Sequence, residues 1–260
     1  MSRQRISRLV FILFVSIVSG CAQFPSGDGS RDEISLLNAI VADQVEYVKA
    51  VVSSGAVSAN ARIPAPAYAE GTPLITIASR EGSLKVLGYL ISAGADVNAR
   101  TPVNETALML AVYFYGTDRQ GTPKENFEKA ARMLVEAGAL LENDGGSYTP
   151  LSYAAYQGNE KMVRYLLERG ARVNADARNG VARINTPLMM AAMQGHKETT
   201  IILLRAGADA RIRVHGRHTA SELAEKYIGG NLIGMLKCAE QLRPNETFAQ
   251  RCDGSRRAGL

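Results

Sequence analysis

Thr186-Pro187-Leu188-Met189-Met190-Ala191-Ala192-Met193-Gln194-Gly195-His196, followed by Leu203-Leu204-Arg205-Ala206-Gly207-Ala208-Asp209, is one copy of a frame that recurs along the chain. The frame returns as Thr149-Pro150-Leu151 through Gly158 to Leu166-Leu167-Glu168-Arg169-Gly170-Ala171. It returns again as Thr72-Pro73-Leu74 through Gly82 to Gly94-Ala95-Asp96-Val97-Asn98-Ala99. A period of roughly thirty-odd residues predicts a solenoid.

The residues of the frame predict its conformation. Threonine before proline supplies an N-cap and a first-turn residue whose missing N–H is not needed there. Ala191 and Ala192, or Ala154 and Ala155, allow a short helix to lie close to its neighbours. A second helix follows, with Met162, Val163, Leu166 and Leu167 at helical spacing, and glycine at 94, 138, 170 or 207 ends it in the left-handed conformation. Helix, turn, helix and loop in this order resemble the ankyrin repeat, over roughly residues 33–238. The resemblance implies an all-α solenoid whose business is binding another protein.

The copies are imperfect. Leu36 to Asn60 lacks the Thr-Pro opening and reads as an N-terminal cap. The second copy has one residue more between Thr72 and Gly82 than separates Thr186 from Gly195, which leaves its first-helix register open. The third opens at Thr106-Ala107-Leu108 but runs from Gly116 to Gly138 where the fourth runs from Gly158 to Gly170, so an insertion is expected at 117–126. Thr219-Ala220-Ser221-Glu222-Leu223-Ala224 opens a sixth, more polar unit. About six units suffice for a continuous core, because stability accumulates across neighbour interfaces.

A different kind of segment precedes the array. Arg3, Arg5 and Arg8 stand before an apolar run from Leu9 to Val18 and then Val18-Ser19-Gly20-Cys21. This predicts a secretory signal over 1–20, with a plain signal peptide and a retained membrane helix as alternatives. Small residues directly before cysteine resemble the bacterial lipobox, which implies that Cys21 becomes a lipidated first residue holding the chain to a membrane. Residues 21–32, rich in Gly, Ser and Pro, read as a tether. Ala22 and Gln23 do not resemble an inner-membrane retention signal, so the expected location is the bacterial envelope, at the outer membrane facing the periplasm.

Removing three signal arginines from a formal charge of +5 leaves +2. Nucleic acid is therefore not an expected partner. Cys238 and Cys252 are an even pair: either a disulfide pins the 239–260 tail to the last helix, or both are free thiols. His196 occupies the Gly-His turn of the ankyrin motif, while His215 and His218 share a loop without ligands at metal spacing. Gly27-Asp28-Gly29, Gly229-Gly230 and Gly145-Gly146-Ser147 lack the context of a phosphate cradle or nucleophile elbow. Neither an enzyme nor a cofactor or metal is expected.

The resemblance implies binding on the concave side, at the loop tips and first-helix ends. Those ends carry Arg80 and Glu81, then Tyr113, Phe114 and Tyr115, then Tyr156 and Gln157, then Met193 and Gln194. Aromatic anchors there favour a protein partner, although Tyr113 and Tyr115 can instead pack beneath the insertion. The loops 60–72 and 174–186 are each four residues longer than 98–106. The first carries Tyr68 with Pro64 and Pro66; the second carries Asp176, Arg178 and Arg183, and with Arg211, Arg213 and Arg217 forms either a basic edge or an ordinary solvated surface. A monomer that binds a toxin, as an immunity protein against a secreted phospholipase would, is the first functional expectation. A scaffold or stress-protection accessory of periplasmic envelope enzymes is the second.

Overall fold

The computed structural model describes residues 31–63, 68–115, 123–143, 148–175, 177–178 and 181–253. The expected signal, Cys21, residues 22–30 of the tether, Pro64, Pro66, Asp176 and the end of the tail lie outside the described residues, whereas the last two tether residues, Arg31 and Asp32, are helical. The array begins with α1 (Arg31–Val41) and α2 (Val45–Ser53). Four pairs follow: α3 (Leu74–Glu81) with α4 (Leu84–Ser92), α5 (Ala107–Phe114) with α6 (Lys124–Glu136), α7 (Pro150–Gln157) with α8 (Glu160–Glu168), and α9 (Pro187–Gln194) with α10 (Lys197–Arg205). The pair α11 (Ala220–Tyr227) and α12 (Asn231–Glu240) closes the six, and α13 (Phe248–Arg251) lies beyond it. First helices stack on first helices and second on second, giving two layers around one core.

The local chemistry follows the frame. Thr149 and Thr186 accept the N–H of Ser152 and Met189 at 3.2 and 3.3 Å, and Pro150 and Pro187 follow at the first turn. Thr219 caps α11 reciprocally, since Glu222 accepts the Thr219 N–H at 3.1 Å. Ala154, Ala155, Ala191 and Ala192 are fully buried, which is what brings the first helices together. Met162, Val163 and Leu166 fill the space between the layers. Gly170 takes φ +94°, and the N–H of Ala171 returns to the carbonyl of Leu166 at 3.0 Å, closing the helix end.

Two departures from the frame resolve here. In the second copy the extra residue is absorbed before the helix: Pro73 becomes the N-cap and Leu74 the first helical residue. Thr72 instead pairs with Ile63 in a small antiparallel ribbon, β1 (Arg62–Ile63) with β2 (Thr72–Pro73). Of the insertion expected at 117–126, residues 117–122 lie outside the described residues. Residues 124–126 belong to α6, which has 13 residues where α8 and α10 have 9. The added turn buries Phe127 with Leu110 and Phe114 in a separate small core.

The long loop before α9 forms β3 (Ala177–Arg178) against β4 (Val181–Ala182), which β5 (Arg213–Val214) joins in parallel from the next finger. Fingers are also tied by asparagines. Asn60, Asn98 and Asn174 accept the N–H of Asp96, Leu140 and Asp209 at 2.7, 2.8 and 2.9 Å. Their amides donate to the carbonyls of Gly94, Gly138 and Gly207 at 3.2, 3.3 and 3.3 Å. Each side chain thus satisfies one donor and one acceptor at the neighbour's helix end. Cys238 and Cys252 are joined by a disulfide, 14 residues apart. With Phe248 buried and Asp253 paired to Arg205 at 2.5 Å, the tail through residue 253 closes the end of the array.

Candidate protein-binding surface

Two recurring positions build the surface. One is the next-to-last residue of each first helix, which places Arg80, Tyr113, Tyr156 and Met193 in successive units. The other is the residue before each threonine N-cap, which places Glu105, Tyr148 and Asn185 in a second row. The rows meet across the helix: the Asn185 amide lies 3.4 Å from the Met193 sulfur.

At the N-terminal end, the Arg80 guanidinium lies 5.0 Å from the Tyr68 ring centre and 5.3 Å from that of Phe114. The aromatic faces hold the cation. Arg80 also stands 3.7 Å from Glu81, whose Oε1 accepts the Tyr68 hydroxyl at 2.9 Å. Next to it the rings run edge to face: Tyr113 meets Phe114 at 5.1 Å and Tyr153 at 5.4 Å, and Tyr153 meets Tyr148 at 5.9 Å. The Gln157 amide donates to the Tyr113 carbonyl at 2.8 Å, and His196 Nε2 lies 2.9 Å from the Tyr156 carbonyl. Both contacts bind one unit to the next. His196 is thus structural, tying its turn to the unit before it rather than closing the turn itself.

Burial sets the electrostatics of this patch. It pushes the hydroxyls of Tyr113, Tyr148, Tyr153 and Tyr156 upward, so each is a neutral donor at physiological pH. It also raises the Glu105 carboxyl above the ordinary range, opposed in part by the charge of Arg80. The negative charge of Glu105 acts on both Tyr113 and Tyr153.

The expected contact residues divide. Arg80, Tyr68, Tyr113 and Tyr156 lie together in or beside this cluster, half-buried, and Tyr115, Gln157 and Gln194 are half-buried at the helix ends. Met193, at 6 % exposure, and Phe114, at 7 %, are corrections: both are packed inside and present little surface. Phe114 is covered because Phe127 of the inserted turn lies on it. Tyr113 packs against the same small core but keeps an exposed edge. Arg183 and Arg217 are exposed on the fingers and share none of the ring contacts above. The basic edge is weaker than its residue count, because Arg211 pairs with Asp209 at 2.9 Å and Arg213 with Glu222 at 3.2 Å.

Glu105 and Tyr148 are the half-buried candidates that helix-end reasoning missed, and Tyr153, at 7 % exposure, is packed inside against Tyr113 and Tyr148. The first two directly precede Thr106 and Thr149, and that recurring offset was readable in the frame. Among the described residues, no group of three or more His, Cys, Asp or Glu side chains could hold a metal ion, and no helix is long and apolar enough to cross a membrane.

Comparison with known proteins identifies the repeat. A family model described as ankyrin repeats (3 copies) matches residues 77–177, and one described as ankyrin repeats (many copies) matches 151–204. Similar curated proteins include ZDHHC13 of Danio rerio, named as a palmitoyltransferase and 29% identical over 82% of this chain. Palmitoyltransferase Hip14 of Drosophila melanogaster is 42% identical over 32% of the chain. The ankyrin repeat and KH domain-containing protein mask-1 of Caenorhabditis elegans is 35% identical over 65%. The chain spans only 30%, 13% and 8% of these three proteins, all of them eukaryotic. Recurring frame, paired-helix geometry and family match agree: this chain carries an all-α array of ankyrin repeats, a scaffold for protein–protein interaction.

Proposed function

We propose that this chain is a membrane-tethered binding protein of the bacterial cell envelope, which captures another protein on the face carrying Tyr113, Tyr148 and Tyr156. The observation that carries the reading is this run of half-buried tyrosines across adjacent units, Tyr113, Tyr148 and Tyr156, with Tyr153 packed inside against Tyr113 and Tyr148. Tyrosine buries large area at low entropic cost while keeping a hydroxyl for hydrogen bonding, which suits it to binding hot spots. Two features support the location. Val18-Ser19-Gly20-Cys21 has the chemistry of a lipid-attachment site, and the Cys238–Cys252 disulfide is at home in an oxidising compartment.

On this reading the partner is a secreted toxin, with a phospholipase as the first case to try, and the anchor keeps the inhibitor beside the membrane under attack. The test combines two variants with a toxicity assay in cells expressing a secreted phospholipase. Cys21→Ala is expected to leave the protein unprocessed or in the soluble fraction, and Tyr156→Ala to abolish protection while the protein remains anchored and folded. Unchanged fractionation of Cys21→Ala sinks the anchor; absence of any protection by the native protein sinks the inhibitor role. Cross-linking that returns a set of resident envelope enzymes instead of one toxin points to the scaffold role.

A further inference from the structure

The two ends of the array are finished differently. At the C-terminal end the chain covers itself: Phe248 of α13 is buried, and the Cys238–Cys252 bond holds the tail in place. At the N-terminal end α1 turns Leu36, Leu37 and Ile40 into the core, while Ile34, Asn38 and Val41, at i, i+4 and i+7, lie along the opposite face. Ile34 is 41 % exposed and Val41 47 %, and Tyr47 of α2 is 39 % exposed. Of the six large apolar side chains exposed among the described residues, three thus belong to this first pair. A terminal unit ordinarily turns a polar face outward, because no further unit covers it. From 34 to 42 the exposed residues are Ile34, Ser35, Asn38, Val41 and Ala42, with no charge among them.

What this stripe meets follows from where the chain continues. Cys21 stands ten residues before Arg31, a reach of at most about 35 Å when fully extended. An acylated Cys21 therefore keeps the first pair, and not the far end of the array, beside the headgroups. So short a tether gives an effective concentration of about millimolar. A few half-exposed apolar side chains then suffice for a contact that would be too weak in free solution. Residues 22–30 offer one large apolar side chain of their own, Phe24. Residues 31–53 set Arg31 and Lys49 against Asp32, Glu33, Asp43 and Glu46, so basic attraction to anionic lipid does not supply the contact. With 11 residues, α1 lies on a bilayer and does not cross it.

We propose that the outer face of α1, through Ile34 and Val41, seats on the lipid surface beside the anchor, with the later units leading away from it. The inference rests on the reading of Cys21 as a lipid-attachment site and adds the orientation of the array. Tyr113, Tyr148 and Tyr156, in the third and fourth units, then stand clear of the headgroups and open to a partner.

The chain contains no tryptophan, so a single introduced indole reports its own surroundings. The test places the full-length lipidated chain in phosphatidylcholine vesicles with brominated acyl chains. One variant is Val41→Trp; the control is Ile228→Trp, a residue of like exposure in the last unit. Bromine is expected to quench Val41→Trp about twofold or more and to leave Ile228→Trp unchanged. Ile34→Glu or Asn38→Glu, added to the Val41→Trp chain, is expected to remove the quenching while the protein still sediments with the vesicles. Asn38 is exposed, so its variant keeps the fold. Equal quenching at both indoles, or quenching that survives both charged variants, overturns the inference. An unquenched but blue-shifted Val41→Trp emission seats the stripe on protein, either a second copy or residues 22–30, and overturns it as well. Sedimentation separates the two readings: a chain that sediments while Val41→Trp stays unquenched loses only this contact. A native chain that does not sediment loses the anchor and the contact together.

Discussion

Glu142 meets Arg172 twice: its Oε1 accepts the Arg172 backbone N–H at 2.7 Å, and its Oε2 stands 3.2 Å from the guanidinium Nε. Glu142 holds the place that Asn60, Asn98 and Asn174 hold at the other finger junctions. A carboxylate accepts the N–H as an amide does but has no donor for the glycine carbonyl. The arginine side chain folds back to meet the second oxygen instead.

This substitution makes a graded stability prediction. Glu142→Ala is expected to destabilise the array by about 1 kcal/mol, because the backbone donor loses its partner while the exposed ion pair adds little. Glu142→Asn is expected to stay within about 0.5 kcal/mol of the native chain by rebuilding the amide clamp. Urea unfolding of both variants decides the point, and an asparagine variant as weak as the alanine variant contradicts the account.

Gly158 and His196 make a second coupled pair. Gly158 has φ +66°, and a Cβ there would stand 2.6 Å from His196 Nδ1. Gly158→Ala is expected to cost more than the roughly 1–2 kcal/mol of left-handed strain alone. His196→Ala removes the contact with the Tyr156 carbonyl and costs about 1 kcal/mol. In the double variant the clash is gone, so the two losses should sum to less than additivity; full additivity in a thermodynamic cycle would show that the ring is not what excludes the methyl group.

Met193 and Tyr156 hold equivalent places in adjacent units but predict different phenotypes. Met193→Ala removes a buried side chain and is expected to lower stability by about 2–4 kcal/mol. Tyr156→Ala, at a half-buried surface position, is expected to change partner affinity by about 2 kcal/mol or more. Thermal unfolding and calorimetric binding on both variants test the division, and a Tyr156→Ala protein that is unstable yet binds normally reverses it.

Glu105 gives a pH prediction with a definite sign. Its folded carboxyl titrates above the ordinary value, mainly through burial, so the folded chain binds this proton more readily than the unfolded chain does. Its contribution to stability therefore increases as pH falls through the raised value and levels off below the ordinary carboxylate range. Glu105→Gln is expected to raise Tm at pH 7, with the gain shrinking as pH falls through that window. A variant less stable than the native chain at pH 7 would mean that the charge supports the fold.

The Cys238–Cys252 bond closes a 14-residue separation across α12 and α13. Its loss by Cys238→Ser with Cys252→Ser is expected to cost about 3 kcal/mol. Hydrogen exchange should show the loss in residues 231–253 first, because α13 reaches the array through Phe248 and the Asp253–Arg205 pair. Uniform loss of protection along all units would instead make the tail part of one cooperative block.

Much of this was legible because a repeat states its own rules several times. The threonine caps, the closing glycines and the paired alanines each have a local reason and appear in the structure where their spacing places them. The helix-end row was legible as a set of positions, whereas its division into surface and interior was not. Phe114 disappears from the surface because Phe127 settles over it, and Met193 because it joins the main core with the Asn185 amide against its sulfur. Glu105 and Tyr148 stand at one recurring place in the frame, but nothing local shows that both are half-buried or that Tyr148 packs on Tyr153.

The sequence by itself determined that this chain stacks helix pairs, how many pairs, and where the pattern breaks, since period, caps and helix breakers act over one turn or one unit. Tertiary structure decided the register of the second unit, the conversion of part of the insertion into an extra turn of α6, the closure of the tail by a disulfide, and the meeting of Tyr113 and Tyr148 on Tyr153. Those outcomes depend on which side chains cover one another across units, and burial is a property of neighbours in space.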